Sequence, residues 1–176
     1  MTKSYYQLWY RLDNNDRYLI WYDVQEADKE LDGIVLDAEG RIPVFTSPEA
    51  LSDYAQARSL VIEDDDEPLL HDLDVVAHWL ETEEWETETL AEINCEEFLA
   101  AWNLFADVSR SIKGSFDGDH DHTGDIYGKL FWGNNLPSLT PEGECYIPDW
   151  SEQEQHIIRD VMSQGLQMFR DNTSQQ

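Results

Sequence analysis

The chain has 176 residues, of which 41% are hydrophobic and 12% aromatic, so it has enough apolar material to build a core and disorder is not expected. Its 38 acidic residues against 11 basic ones give a formal net charge of −27. Such a charge repels nucleic acid and anionic membranes and attracts cationic proteins. It therefore argues against a nucleic-acid-binding protein; general solubility or adaptation to salt is the alternative explanation of the acidity.

The first third of the chain is predicted to be strand-rich. Aromatic and β-branched residues fill 5–12 and 18–24, and the turn-forming run Asp13-Asn14-Asn15-Asp16 separates them, which is typical of a β-hairpin. Residues 33–36 and 41–45, joined by a turn that ends in Gly40, predict a second hairpin. Residues 60–62 predict a further short strand.

The remainder is predicted to be mainly helical. Ser47 followed by Pro48 predicts the start of a short helix, and Asp72 predicts the start of another. Asn94 with Glu97, and Ser151 with Glu154, have the spacing of capping boxes ahead of apolar residues at helical intervals. Residues 126–132 predict a short apolar helix, 81–92 are interpreted as irregular or extended, and the small, acidic segment 115–124 is predicted to be mobile.

Strands precede helices, and βαβ alternation is not sustained. This order predicts an α+β fold, with an N-terminal antiparallel sheet of about four to five strands packed against C-terminal helices. We expect a single domain over 1–171, strand-rich in 1–62 and helix-rich in 70–171, followed by a polar tail at 172–176. The N-terminus lacks the features of a secretory signal and no apolar run is long enough to span a membrane, so a cytoplasmic protein is predicted.

One stretch, residues 59–109, contains no lysine or arginine, and we call it the cation-free stretch. Its acids alternate with aromatic residues. A tryptophan at helical spacing usually faces the core, which is the first interpretation of Trp79, Trp85 and Trp102; if one of them is an exposed anchor, Trp85 is the candidate. The predicted partner-binding residues are Glu63, Asp64, Asp65, Asp66, Glu67, Glu81, Glu83, Glu84, Trp85, Glu86 and Glu88.

A second candidate site is the loop from Asp117 to Asp125. Counted from Asp119, oxygen-bearing residues fall at the first, third and fifth positions and Gly124 at the sixth, which is the spacing of a calcium-binding EF-hand loop. The twelfth position, however, is Leu130 where such a loop has glutamate. Two histidines with neighbouring acids would also suit zinc or nickel. The candidate ligands of this alternative, a metal-responsive protein, are Asp119, His120, Asp121, His122 and Asp125.

No catalytic motif is recognisable. The acidic runs show no sign of the desolvated carboxyl pair that acid–base catalysis needs, and no serine stands in a nucleophile-elbow context. Cys95 and Cys145 are far apart and form no CxxC pair, and no glycine-rich phosphate loop is present. The sequence therefore predicts a non-enzymatic protein without a cofactor; a hydrolase with buried paired acids is a third and less supported possibility.

Two segments, RIPVFTSPEALSDY and DIYGKLFWGNNLPSLTPEGECYIPDWSEQE, resemble small acidic immunity proteins of bacterial contact-dependent growth inhibition and related polymorphic toxin systems. The resemblance implies a cytosolic antidote that binds one toxin domain, often a nuclease, and blocks its active site or substrate surface. Combined with the charge, it leads to the hypothesis of an inhibitor that docks on a basic toxin domain by electrostatic and aromatic contacts.

Overall fold

The structure is a computed structural model that describes residues 2–26, 29–63, 67–82 and 92–176. Its fold is α+β, as predicted: strands lie mainly in the N-terminal half and helices mainly in the C-terminal half. The strands are β1 (Thr2–Leu12), β2 (Asn15–Glu26), β3 (Lys29–Glu30), β4 (Gly33–Ile34), β5 (Ile42–Val44), β6 (Leu70–Asp72) and β7 (Thr173–Gln175). The helices are α1 (Pro48–Ala57), α2 (Leu73–Glu81), α3 (Cys95–Ile112), α4 (Gly124–Gly133) and α5 (Glu152–Asn172).

The long β1–β2 hairpin organises the main sheet, whose strand order is β3-β2-β1-β6 with β4 also paired to β2. The tight turn that closes the hairpin uses Asp13 and Asn14 with φ of 53° and 58°, the left-handed conformation that two-residue hairpin turns require. The predicted first hairpin is therefore confirmed. β6 joins the other edge of β1 in a parallel arrangement.

The second predicted hairpin is wrong. The turn at 37–40 forms, with Asp37 N–H donating to the Arg41 carbonyl, but the two flanking segments pair elsewhere. β4 pairs with β2, and β5 pairs in parallel with β7. Residues 172–176 are therefore not a free polar tail, because β7 is paired with β5 through the main chain. Such pairing does not require apolar side chains. Residues 60–62 contribute one parallel bridge, between Ile62 and Tyr5, instead of a strand.

The predicted helix starts are confirmed. Ser47 caps α1 by accepting from Ala50 N–H, and Asp72 caps α2 by accepting from Asp74 N–H. Ser151 and Glu154 form a complete capping box at α5. At α3, the Asn94 side chain accepts from Glu97 N–H, but the Glu97 carboxylate accepts from the backbone N–H of Asp72 at 3.0 Å. The second half of that capping box is thus replaced by a link between α3 and β6.

Alternation along the hairpin creates two cores, one on each face of the sheet. Leu8, Tyr10 and Leu19 face α2, α3, α4 and α5, where Phe98, Phe105 and other apolar side chains of these helices are buried. Ile20 faces the opposite side and packs against Leu51 of α1. The chain therefore forms three layers, with α1 behind the sheet and the four other described helices in front of it.

The segment 115–124, which the sequence predicts to be mobile, is instead packed. It forms two 3-10 turns, at Asp117–Asp119 and Asp121–Thr123. Phe116 is buried against Trp102 and Phe105, and the buried Thr123 hydroxyl donates within the segment. Within the described residues, no helix has the length and apolarity needed to cross a membrane.

An acidic, aromatic groove along α3

A groove of about 780 Å³ runs between α3 and the helix-facing side of the β1–β2 hairpin, and we call it the α3 groove. The α3 wall carries Glu96, Ala100, Asn103, Asp107 and Arg110, which repeat at three- or four-residue intervals and so lie on one stripe of the helix. Ala100 on this stripe and Ala106 beside it line the groove with short side chains. The other lining residues are Tyr6, Gln7, Leu8, Trp21, Asp32, Leu69, His71, Leu99, Leu104, Ala106 and Tyr127.

The charged side chains of the groove are mostly acidic. Among the described residues of its lining, Asp32, Glu96 and Asp107 stand against one cation, Arg110, so these four side chains contribute a formal charge of −2. His71 adds no positive charge at neutral pH, because burial lowers its pKa below the usual value. A cationic group that enters the groove would therefore meet an excess of carboxylates.

Asp107 lies at the centre of this arrangement. Its Oδ2 accepts from the Trp21 indole N–H at 2.9 Å, and its Oδ1 accepts from Arg110 Nη2 one turn along the same helix. Burial raises the pKa of the Asp107 carboxyl, and the nearby charges of Asp32 and Asp119 act in the same direction; the hydrogen bond from Trp21 and the positive charge of Arg110 oppose them. The carboxylate is thus held in place but only partly compensated.

The two ends of the Asp107–Arg110 pair differ in their exposure to solvent. The Asp107 side chain is 13% exposed, whereas that of Arg110 is 46% exposed. An ion pair at this helical spacing contributes only about 0.2–0.5 kcal/mol, and solvent screening reduces it further. A buried carboxylate without any partner costs more, about 1–3 kcal/mol. Arg110 is therefore a weakly held partner for a carboxylate that strongly requires one.

Aromatic and apolar surfaces complete the groove. The rings of Tyr6 and Trp21 pack with centroids 5.4 Å apart, and Tyr127 approaches from α4, where its hydroxyl donates to Asn103 Oδ1 at 2.8 Å. At the rim, Leu69 is 82% exposed. Aromatic faces next to carboxylates attract guanidinium and ammonium groups, and an exposed leucine offers an apolar contact beside them.

Only part of the predicted partner-binding set falls within the described residues. Glu63, Glu67 and Glu81 are exposed; Glu81 lies 4.0 Å from His78, and the carboxylates of the other two make no hydrogen bond or ion pair with described residues. Trp79 and Trp102 are buried in the core, as predicted. The predicted residues Asp64, Asp65, Asp66, Glu83, Glu84, Trp85, Glu86 and Glu88 lie outside the described residues.

The histidine-containing loop does not have the form of a calcium loop. Thr123 is buried with its hydroxyl donating to the carbonyls of Gly118 and His120, and α4 begins at the next residue. His120 and His122 stack with ring centroids 5.9 Å apart. Over the described ranges, which include all of 117–125, no three His, Cys, Asp or Glu side chains are grouped so as to hold a metal ion.

No family model matches the chain, and no curated protein matches it. Among solved structures, the crystal structure of the SatS C-terminal domain in complex with bromine is similar. The likeness covers 98% of this chain and 94% of that chain, with a TM-score of 0.55 and 15% sequence identity. The two chains share a fold. At this level of identity the likeness concerns architecture alone, so the chemistry of the site must be argued from the side chains of the α3 groove.

Proposed function

We propose that the protein is a non-enzymatic inhibitor that binds a basic protein domain through the α3 groove, in the manner of an immunity protein that neutralises a toxin domain. The observation that carries the proposal is the composition of the groove. Its lining combines three carboxylates, one already engaged cation and the aromatic side chains of Tyr6, Trp21 and Tyr127. This is the complement of a surface that presents arginine or lysine beside apolar residues.

The charge of the whole chain supports the same partner class. With a formal net charge of −27, the molecule attracts a basic domain over distances of about a Debye length, roughly 8 Å at physiological salt. Long-range attraction mainly accelerates encounter, whereas desolvated contacts in the groove slow dissociation. A nuclease suits this partner class, because the surface with which a nuclease binds nucleic acid is basic. An acidic groove would bind to that surface and block it.

Two further features fit a toxin antidote that acts in the cytoplasm. Cys95 and Cys145 are both free thiols, as suits a reducing compartment. The acids of the cation-free stretch that lie within the described residues include Glu96 and Asp107 of the groove itself. The stretch would thus supply one wall of the binding site, and the N-terminal hairpin would supply the other.

The test is calorimetric titration of the full chain with a basic toxin domain, chosen from any that a neighbouring gene encodes. We expect a one-to-one complex whose affinity falls at least about tenfold when NaCl rises from about 50 to 300 mM, because screening weakens interprotein charge contacts. Glu96→Lys should weaken binding about tenfold or more, since it places a cation at the groove.

Glu49→Lys is the matched control for Glu96→Lys. Both glutamates are exposed and both lie in the first turn of a helix, but Glu49 belongs to α1 on the opposite side of the sheet. The two variants change the net charge equally and disturb equivalent helix ends. Equal loss of affinity in both variants would indicate general charge attraction without a defined site, and binding that is insensitive to salt would contradict the proposal.

A further inference from the structure

We propose that Asp107 is a socket for an arginine side chain of the partner, and that Arg110 fills this socket while the partner is absent. The inference rests on the proposed function and deepens it, because it states which side chain the partner presents and which group of this chain it replaces. Its basis is the geometry of the groove around Asp107.

The socket is preformed on one side and replaceable on the other. The Trp21 indole N–H, at 2.9 Å from Oδ2, fixes the orientation of the carboxylate from the sheet. Arg110 occupies the remaining oxygen, Oδ1, from a position that is nearly half exposed. An incoming guanidinium can therefore take over Oδ1 while Arg110 turns outward into water, so that the carboxylate is never left without a cation.

The surroundings favour arginine over lysine. A guanidinium is planar, and it stacks on aromatic faces while it donates to a carboxylate. The Tyr6 and Trp21 rings line the groove on the sheet side and Tyr127 lines it near α4. A lysine ammonium is a compact, strongly hydrated charge that gains less from such walls. The partner is thus expected to insert an arginine, with an apolar neighbour able to rest on the exposed Leu69.

Acetyl-arginine amide is a direct probe of the socket, and acetyl-lysine amide is its control with the same charge. The readout is the indole N–H signal of Trp21 in a ¹H–¹⁵N spectrum of the full chain, which contains seven tryptophans. Trp21→Phe assigns that signal. We expect acetyl-arginine amide to shift it with a Kd on the order of 1–10 mM, and acetyl-lysine amide to shift it less.

Arg110→Gln removes the resident cation and should tighten binding of acetyl-arginine amide about 2- to 3-fold. A gain of this size corresponds to Arg110 occupying Asp107 about 60–70% of the time. Arg58→Gln is the matched control, because it removes an equally charged arginine whose guanidinium lies over Tyr54 on the opposite side of the sheet. Asp107→Asn should abolish the shift of the Trp21 signal. The asparagine side-chain oxygen can still accept a hydrogen bond from the Trp21 indole N–H, so only the charge is removed.

The inference is overturned if the Trp21 signal does not respond to acetyl-arginine amide in either the natural chain or Arg110→Gln. It is also overturned if Arg110→Gln and Arg58→Gln bind the probe equally, or if Asp107→Asn binds it as tightly as the natural chain does. These outcomes are separable from those of the proposed function. If a toxin domain binds the Asp107→Asn variant as tightly as the natural chain, the inhibitor role stands and the arginine socket is refuted. If the Trp21 signal responds to acetyl-arginine amide but no toxin domain binds, the socket stands and the inhibitor role is refuted.

Discussion

Asp74 shows how a single carboxylate positions the element on which the site depends. Its Oδ1 accepts from Asp13 N–H at 2.7 Å and its Oδ2 accepts from Asn14 N–H at 2.8 Å, so the first turn of α2 holds the tip of the β1–β2 hairpin. Both turn residues are left-handed, a conformation that costs a non-glycine residue energy unless other contacts stabilise it. From α5, Arg170 donates to the Asp13 carboxylate at 2.8 Å.

Replacement of Asp74 by alanine is expected to lower the free energy of unfolding by about 1–2 kcal/mol, because two hydrogen bonds to a charged acceptor are lost at an exposed site. Urea denaturation measures the change. Asp53→Ala on α1 removes the same charge from an exposed helical position, and Asp53 makes no hydrogen bond or ion pair with the described residues. Equal stability of the two variants would refute the role assigned to Asp74.

The residues of the site were harder to predict than the residues of the core. Apolar side chains at helical spacing identified Phe98, Trp102 and Phe105 of α3 because burial requires that periodicity. Asp107 gave no such signal. Its partner Trp21 is 86 positions away, and only the packing of α3 on the hairpin brings them together. A polar or small residue at each turn of an otherwise apolar helix, as at Asn103 and Asp107, is the only trace of the groove in the sequence.

At the scale of elements, the packing of α3 against α5 depends on Gly165. A Cβ at this position would overlap the ring of Phe105, which is itself completely buried. The absence of a side chain therefore lets the two helices approach closely. α3 carries one wall of the groove on its other face, so this contact also determines how α3 is seated relative to the sheet.

Gly165→Ala is expected to lower the free energy of unfolding by about 1–2 kcal/mol, since overpacking outweighs the roughly 1 kcal/mol that alanine gains in helix propensity. Gly128→Ala in α4 provides the opposite case: nothing lies within 4 Å of its added Cβ, so propensity alone applies. It should raise the free energy of unfolding by about 0.5–1 kcal/mol. If both substitutions raise the free energy of unfolding in the same denaturation assay, the α3–α5 contact accommodates the added methyl group, and the role assigned to Gly165 is refuted.

The elements themselves were predictable to different degrees. The start of a helix is determined by neighbouring residues, namely a capping side chain followed by apolar residues, and the sequence predicts the starts at Ser47, Asp72, Asn94 and Ser151. The partner of a strand is not determined by neighbouring residues. β5 pairs with β7 across 131 positions, between Ile42 and Thr173, and Arg41 donates to the Thr173 carbonyl at 2.6 Å. Neither contact depends on an apolar pattern, so the C-terminal strand looked like a polar tail.

The whole molecule is dominated by uncompensated negative charge. Its 11 lysines and arginines can neutralise at most 11 of the negative charges carried by its 38 acidic residues. Ion pairs such as those of Lys129 with Glu154 and Arg11 with Asp16 are at or near the surface, where solvent screens them and they offset little of the repulsion between acidic side chains. Repulsion among the remaining acids destabilises the compact state.

Added salt should therefore stabilise the fold while it weakens the proposed complex. Between about 20 and 500 mM NaCl we expect Tm to rise by roughly 3–8 °C, because screening relieves more repulsion than it removes attraction from exposed pairs. Potassium chloride and choline chloride should act equally, since screening depends on ionic strength alone, and a rise with only one cation would indicate specific ion binding instead. A falling Tm would mean that the carboxylates are compensated in the folded state, and the electrostatic basis for attracting a basic domain would be lost.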